Sequence, residues 1–341
     1  MEEPPDSPLT GDFLTIGDAA PALNVAHWLK GREVTEFRPG RVYAISFWAS
    51  WCRPCRASIP LLGELQQSYA DRNVFIIGIS DEPLQKVFSF LAQPEWNEKT
   101  TFGMATDPAR TAHREYMDAA AIGLIPTVFL VGKTGLIEWI GLPGDLRGPL
   151  DAVLADEWDR DAFMKTFDEQ MEPERERFRL RRAMKAAYLA KDWPTLLEKF
   201  DAAIAVDPRP HWLMMQKFQL LISEINDPRQ GYAYGRELLR EFDENARMLN
   251  QMAWFITTHD AVETRDLDLA LAAARRACEL TGYKHSAMLD TMARTHFERD
   301  EIDFALHWQR KAVEHLREND SLSEMVHATL RRYEQHARAQ R

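Results

Sequence analysis

The chain has 341 residues, 45% of them hydrophobic, which is enough for two domains with ordinary buried cores. Its formal net charge of −11 argues against a nucleic-acid surface, because phosphate binding needs clustered Lys and Arg. Three cysteines are too few for a disulfide-stapled scaffold, and no apolar run approaches the roughly 20 residues that span a bilayer.

The start of the chain, Met1 to Asp6, is acidic and lacks the basic and apolar regions of a signal peptide. We expect residues 1–14 to form a mobile arm. The sequence as written predicts a cytoplasmic protein, whereas a leader trimmed before Met1 would place it in the cell envelope.

The next part of the chain has an α/β pattern. It predicts, in order, a buried strand, a helix, a parallel strand, a second helix, a hairpin and a short closing helix. These are Val42–Trp48, Cys52–Tyr69, Val74–Ile79, a helix through Leu84, Val87, Phe88 and Leu91, Thr127–Val131 with Leu136–Ile140, and Arg147–Trp158.

A W-C-x-P-C motif, Trp51 to Cys55, stands where the first strand meets the first helix. Two thiols at this spacing can close a small disulfide ring. The open N–H groups and the dipole of a helix start favour the Cys52 thiolate, the form that attacks disulfides. The pair can therefore exchange electrons with another dithiol through a mixed disulfide.

Other uses of this cysteine pair fit less well. A structural zinc site needs four ligands, and the only other cysteine, Cys278, lies far along the chain on an apolar helical stripe, where we expect a structural role. Attachment of a c-type haem would need His where Arg56 stands. We predict no metal and no cofactor.

The motif resembles the thioredoxin superfamily. Ile125-Pro126-Thr127 precedes a β-rich run, like the cis-proline loop that faces the dithiol there, and Pro60 stands where thioredoxins kink the active-site helix. The segment before the first main strand is more similar to the TlpA/ResA-type envelope branch, through Gly17, Pro21, Trp28 and Gly31. The resemblance covers residues 15–157 and implies a thioredoxin-like α/β fold, a central mixed sheet flanked by helices.

The resemblance also implies roles for individual residues. Cys52, nearest the helix terminus, would be the nucleophile, and Cys55 the resolving thiol. Arg53, where thioredoxins commonly carry Gly, would favour the thiolate and a more oxidising pair, or be only a solvated charge. The candidate substrate-binding residues are Trp51, Arg53, Pro54, Ile125 and Pro126.

The proton acceptor for Cys55 is a separate question. Many thioredoxins bury an Asp where this chain has Ser46. TlpA/ResA-type proteins place an acid after the second strand, which corresponds to Asp81 or to Glu82. Either could take the proton if burial raises its pKa toward neutrality, or either could be an ordinary loop acid.

The second half is helical and repeats itself. Leu249, Met252 and Ala253 recur forty residues later, and Leu267, Ala270, Leu271 and Ala277 recur after thirty-five, so five extra residues fall around Thr258–Thr264. The period resembles the tetratricopeptide (TPR) repeat, and a plain helical bundle is the alternative. We predict a charged, solvated helical connector over 158–182 and TPR-like repeats over 183–341.

These features predict a thiol–disulfide oxidoreductase, in the form of a protein-disulfide reductase whose helical domain selects partners. Its partners would be protein thiols and disulfides, an upstream thiol reductant or oxidant, and a peptide or protein ligand of the repeats. A redox-regulated interaction scaffold is the alternative. A thiol peroxidase is a weaker one, because the family pattern has Thr where this chain has Ala49.

Overall fold

The computed structural model describes residues 13–317 and 322–340. The predicted arm lies outside the described residues apart from Phe13 and Leu14. The chain separates into two compact units, one ending at Arg179 and the other beginning at Leu180. Among the described residues, none of the helices combines the length and apolar character needed to cross a membrane.

The first unit contains six strands: β1 (His27–Lys30), β2 (Val42–Phe47), β3 (Val74–Ser80), β4 (Gly103–Thr106), β5 (Thr127–Val131) and β6 (Ile137–Gly141). They form one mixed sheet in the order β1-β4-β3-β2-β5-β6. β2, β3 and β4 run parallel, and β5 joins β2 antiparallel. The central strand β2 is buried along its whole length, as its unbroken apolar sequence predicts.

The helices of this unit are α1 (Arg53–Ser68), α2 (Leu84–Leu91), α3 (Pro94–Lys99), α4 (Thr111–His113, continued by a π-helical turn at Arg114–Asp118), α5 (Arg147–Ala155) and the first part of α6 (Arg160–Leu189). Two apolar clusters cover the sheet. One holds Cys55, Ile59 and Trp48, and the other holds Phe47 and Phe129. Neighbouring residues of β2 enter different clusters because side chains alternate along a strand.

The prediction of a thioredoxin-like fold is confirmed, and the predicted strands and helices lie close to their observed bounds. β1 and β4 were not predicted. Each has only four residues, and neither carries the long apolar run that identified β2 and β3.

The prediction of a solvated connector is wrong for the first half of α6. Phe167 is buried in the cluster of Phe47, with Phe163 packed beside it. Arg175 is also buried, and it donates to Asp168 Oδ1 at 2.8 Å and to Thr15 Oγ1 at 3.1 Å. This part of the helix therefore belongs to the core of the first unit.

The second unit consists of helices: the end of α6, then α7 (Trp193–Val206), α8 (His211–Ile222), α9 (Pro228–Glu241), α10 (Ala246–Thr258), α11 (Leu267–Leu280), α12 (Ser286–Glu298), α13 (Ile302–Glu314) and α14 (Ser323–Ala339). Several begin at an Asp or Asn cap whose side chain accepts a backbone N–H three residues on: Asp192, Asp227, Asn245 and Asp266.

The repeated positions are the packing positions of this unit. The two matched sets in α10 and α12 are buried: Leu249, Met252 and Ala253, and Leu289, Met292 and Ala293. In α11 and α13 the small residues Ala270, Ala277, Ala305 and Ala312 have no exposed surface, so neighbouring helices can approach closely. The loop 259–266 is five residues longer than the loop 299–301, which is where the change of period predicted the insertion.

Candidate active site

The dithiol lies where β2 ends and α1 begins. Cys52 is the residue that caps α1, and its Sγ accepts the backbone N–H of Cys55 at 3.2 Å. A sulfur here replaces the hydroxyl or carboxylate oxygen that usually satisfies a free N–H at a helix start. In the reduced protein the same N–H would favour the thiolate, because hydrogen bonds to an ionised acceptor are stronger.

The two sulfurs differ in accessibility. Cys52 and Cys55 are joined in a disulfide. Cys55 has no exposed surface and packs with Ile59 and Leu62 of α1, whereas Cys52 exposes 5% of its surface. Of the two residues, only Cys52 keeps any exposed surface, which supports Cys52 as the attacking residue.

The proline loop lies beside this sulfur because of the sheet register. β5 starts opposite the end of β2, with Thr127 paired to Phe47. Pro126 immediately precedes β5, and the Ile125–Pro126 peptide bond is cis. The carbonyl oxygen of Ile125 lies 3.8 Å from Cys52 Sγ. The structure thus brings together the cysteine pair and the loop that the sequence linked only by resemblance.

The surface around Cys52 is open and partly apolar. Trp51 exposes 66% of its surface and Leu124, in the proline loop, exposes 80%. Arg53 and Pro54 are also exposed. Exposed side chains of this size beside a redox-active sulfur give an incoming polypeptide something to pack against.

Glu82 is tied to the loop that carries the motif. Its carboxylate accepts the backbone N–H of Ser50 at 2.5 Å and the Ser50 hydroxyl at 2.8 Å, and it pairs with Lys86 Nζ at 2.7 Å. Burial pushes the pKa of this carboxyl upward, but the donors from Lys86 and Ser50 outweigh burial and lower it. Glu82 is therefore an ionised anchor for the segment before Trp51.

Asp81 faces a different set of neighbours. Its Oδ2 lies 3.4 Å from Arg110 Nη1 and 4.0 Å from His113 Nε2. The His113 ring packs on Phe47, in the apolar cluster on the face of the sheet opposite to that of Cys55. The contacts of Glu82 with Ser50 and of Asp81 with Arg110 therefore place Glu82, and not Asp81, on the side of the dithiol.

Ser50 is a site residue that sequence reasoning missed. Its part depends on Glu82, which is thirty-two residues away along the chain, so the local sequence gave no signal for it. Cys278, by contrast, lies where its repeat position predicted, fully buried in the core of the second unit. Burial raises the pKa of this thiol to about 12.

A helix-capping dithiol opposite a cis-proline is the working centre of thioredoxin-like thiol–disulfide oxidoreductases, and the first unit is one of these. Residues 16–140 match the AhpC/TSA family model. Thiol-disulfide oxidoreductase ResA of Bacillus thuringiensis subsp. konkukian is 30% identical over 127 residues, 36% of this chain and 68% of that protein. The chain belongs to the ResA/TlpA-type family of thiol–disulfide oxidoreductases.

Other proteins are also similar to this chain. Protein FixW of Rhizobium leguminosarum is 25% identical over 212 residues, 57% of this chain and 92% of that protein. Sporulation thiol-disulfide oxidoreductase A of Bacillus subtilis is 26% identical over 144 residues, 41% of this chain and 79% of that protein. The crystal structure of a DsbE-type interchange protein from Chlorobium tepidum covers 41% of this chain and 99% of its own, with 26% identity and a TM-score of 0.34.

Proposed function

We propose that this oxidoreductase works as a protein-disulfide reductase, with Cys52 as nucleophile and Cys55 as resolving thiol. The Cys52 thiolate attacks a substrate disulfide, forms a mixed disulfide and releases one substrate thiolate. The Cys55 thiolate then attacks Cys52 Sγ, which closes the Cys52–Cys55 disulfide and releases the second substrate thiol. An upstream thiol reductant restores the dithiol. The observation that carries this proposal is that Cys52, the residue that caps α1, keeps some exposed surface while Cys55 is fully buried.

The substrate segment would lie extended between the motif and the proline loop. Ile125 and Pro126 would supply main chain beside the sulfur, as in pairing by β-augmentation, and Trp51 and Pro54 would supply apolar contact. The 3.8 Å between the Ile125 carbonyl oxygen and Cys52 Sγ supports this placement, because a cysteine bonded to Cys52 would lie against that loop. Arg53 completes the proposed substrate-binding set.

Glu82 is proposed as a positioning residue. A carboxylate that already accepts two hydrogen bonds from Ser50 and pairs with Lys86 has little capacity left to take a proton. Its contribution would be to hold the segment from Ser50 to Cys52 in place. Direct proton transfer from Cys55 to Asp81, the role first expected for that acid, has less support, because Asp81 pairs with Arg110.

The second unit is proposed to select partners. Its helices form a groove of about 380 Å³ with an apolar floor that includes Leu196, Phe200 and Leu220. Stacked helix pairs of TPR type commonly present such concave surfaces to peptides or helices. The groove is suited to a protein or peptide ligand. An interaction scaffold would need such a groove as well.

The location is part of the same proposal. Similarity to TlpA/ResA-type envelope proteins supports the cell envelope, and the cytoplasm is the alternative. Fractionation of cells that express the protein with a C-terminal tag would distinguish the two compartments.

Turnover with insulin as substrate tests the proposed function. The wild-type protein, supplied with dithiothreitol, should accelerate insulin reduction, and the Cys52→Ser variant should give no more than the rate of dithiothreitol alone. A scaffold would give that background rate for both proteins. A peroxidase would instead consume hydrogen peroxide with matching loss of thiols.

A further inference from the structure

Two arginines, Arg53 and Arg56, each follow a cysteine of the dithiol. Arg53 follows Cys52, Arg56 follows Cys55, and both lie in the first turn of α1, where residues three apart share a face. Within the part of the chain that the structure describes, neither guanidinium forms an ion pair or a side-chain hydrogen bond. Many other arginines do, as Arg160 does with Glu138 at 2.6 Å.

This placement works against local stability. The start of a helix carries a partial positive charge, so two further cations there repel it, and the first turn of α1 contains no acidic residue. The exposed carboxylate of Asp145 lies in a turn that packs against α1, but it pairs with neither arginine. Folding alone gives no reason for both charges.

The two positive charges are also opposite in sign to the net charge of the whole protein. The chain carries a net charge of −11, so an acidic partner would be repelled by most of its surface. Beside Cys52 the sign is reversed by two cations. These two cations would therefore favour an acidic segment at the place where the reaction occurs.

We infer that Arg53 and Arg56 select substrates whose reactive cysteine lies next to acidic residues in an extended segment. This inference rests on the proposed reductase function and names the substrate class of the same site. Two guanidinium groups on the helical turn that follows Cys52 would pair with carboxylates one to three residues from the substrate cysteine, because a residue in an extended segment spans only about 3.3 Å.

An effect of Arg53 on the Cys52 thiolate has to be separated from substrate selection. A change in thiolate reactivity alters the rate toward every disulfide by the same factor. Selection alters the ratio of rates between substrates that differ only in charge. The ratio is therefore the quantity to measure.

The test uses three peptides, each with one cysteine in a mixed disulfide with the same small thiol. They differ only in the residues flanking the cysteine, which are Glu, Gln or Lys. The reduced full-length protein is mixed with each peptide, and thiol release is followed at low and at high salt. Two variants are compared with the wild type. One is the double variant that carries Arg53→Gln and Arg56→Gln, and the other is Arg32→Gln, the matched control. Arg32 is an exposed arginine beside a cleft at the start of β3. The dithiol lies at the opposite end of the parallel strands, where β2 ends.

We expect the Glu peptide to react about fivefold faster than the Gln peptide at low salt, and the Lys peptide to be slowest. The difference should shrink at high salt, because exposed charges are screened. The double variant should lose the preference while its thermal stability stays equal or rises, and Arg32→Gln should keep the preference.

Equal rates for the three peptides, or a preference that survives in the double variant, would overturn the inference and leave the reductase function intact. Absence of reaction with all three peptides would mean instead that the proposed function itself is wrong.

Discussion

The two cysteines of the motif have different roles because they lie three positions apart at the start of a helix. Cys52 stands before the first turn of α1, where its sulfur accepts a backbone N–H and the residue keeps a small exposed surface. Cys55 lies within that turn and packs in the apolar core. This geometry explains why Cys52 is the attacking thiol and Cys55 the resolving thiol.

Cys278 should be inert in the folded protein. With its pKa raised to about 12 by burial, only about one thiol in ten thousand is ionised at pH 8. Maleimide added to the oxidised native protein should leave Cys278 unlabelled for hours, and labelling should be complete in denaturant. Rapid labelling of Cys278 in the native protein would show that the helical core opens readily.

Glu82→Gln should slow insulin turnover by about tenfold, because loss of one good acceptor for Ser50 lets the segment before Cys52 move. Asp81→Asn is the matched control and should stay close to wild type, since Asp81 pairs with Arg110 and His113. The opposite ranking would return the role to Asp81.

Glu82 should also leave a signature in the pH dependence of stability. Its pKa is lowered in the folded protein, so the folded state favours the ionised carboxylate. The resulting stabilisation is complete above a pH of about 4.5 and is lost as the pH falls further, through the lower folded-state pKa. Denaturant unfolding from pH 7 to pH 3 should show this loss in the wild type and a smaller loss in Glu82→Gln. Equal slopes in the two proteins would contradict the anchoring role.

At the scale of elements, the first part of α6 packs in the core of the redox unit, so this unit ends within α6. Phe167 fills the core beneath the sheet, and Arg160 pairs with the buried Glu138. Trp158 also donates its indole N–H to the Glu138 carbonyl at 2.9 Å. A fragment that stops at residue 157 therefore loses the core packing of Phe167 and the ion pair of Glu138.

Fragments of two lengths test this boundary. Residues 1–179 should fold and reduce insulin at a rate close to that of the full chain. Residues 1–157 should be less stable by about 3 to 5 kcal/mol, the usual cost of removing one large buried aromatic side chain such as Phe167. Circular dichroism and denaturant unfolding give the comparison, with Arg160→Gln in the longer fragment as a control for the ion pair. Equal stability of the two fragments would show that α6 is only a connector.

Local patterns predicted much of this architecture, and contacts between distant residues account for what they missed. β2, β3 and α1 were predictable because their apolar runs and periodicity lie within single segments, and the motif marked the joint between them. The part of α6 that enters the core carries so many charges that its few aromatic residues did not stand out. The choice between Asp81 and Glu82 depends on which face of the sheet each side chain contacts. Two adjacent acidic residues look alike in the sequence, so it does not predict that face.

For the whole molecule, the helical unit should affect which partners react and leave the chemistry unchanged. We expect cell extracts treated with the Cys55→Ser variant to yield a set of mixed-disulfide partners that shrinks or changes when residues 180–341 are removed. Insulin turnover by the fragment serves as the control for an intact redox unit. Identical partner sets would contradict partner selection by the helical unit. They would favour a structural or dimerisation role for its helices.

The central claim is that Cys52 attacks a substrate disulfide and Cys55 resolves the product. It is tested most directly by incubating reduced Cys55→Ser and Cys52→Ser variants with a disulfide-bonded protein and mapping the products by mass spectrometry. The account predicts a stable mixed disulfide at Cys52 in the Cys55→Ser variant and almost none in the Cys52→Ser variant. Equal trapping by the two variants, or a mixed disulfide at Cys55 alone, would contradict it.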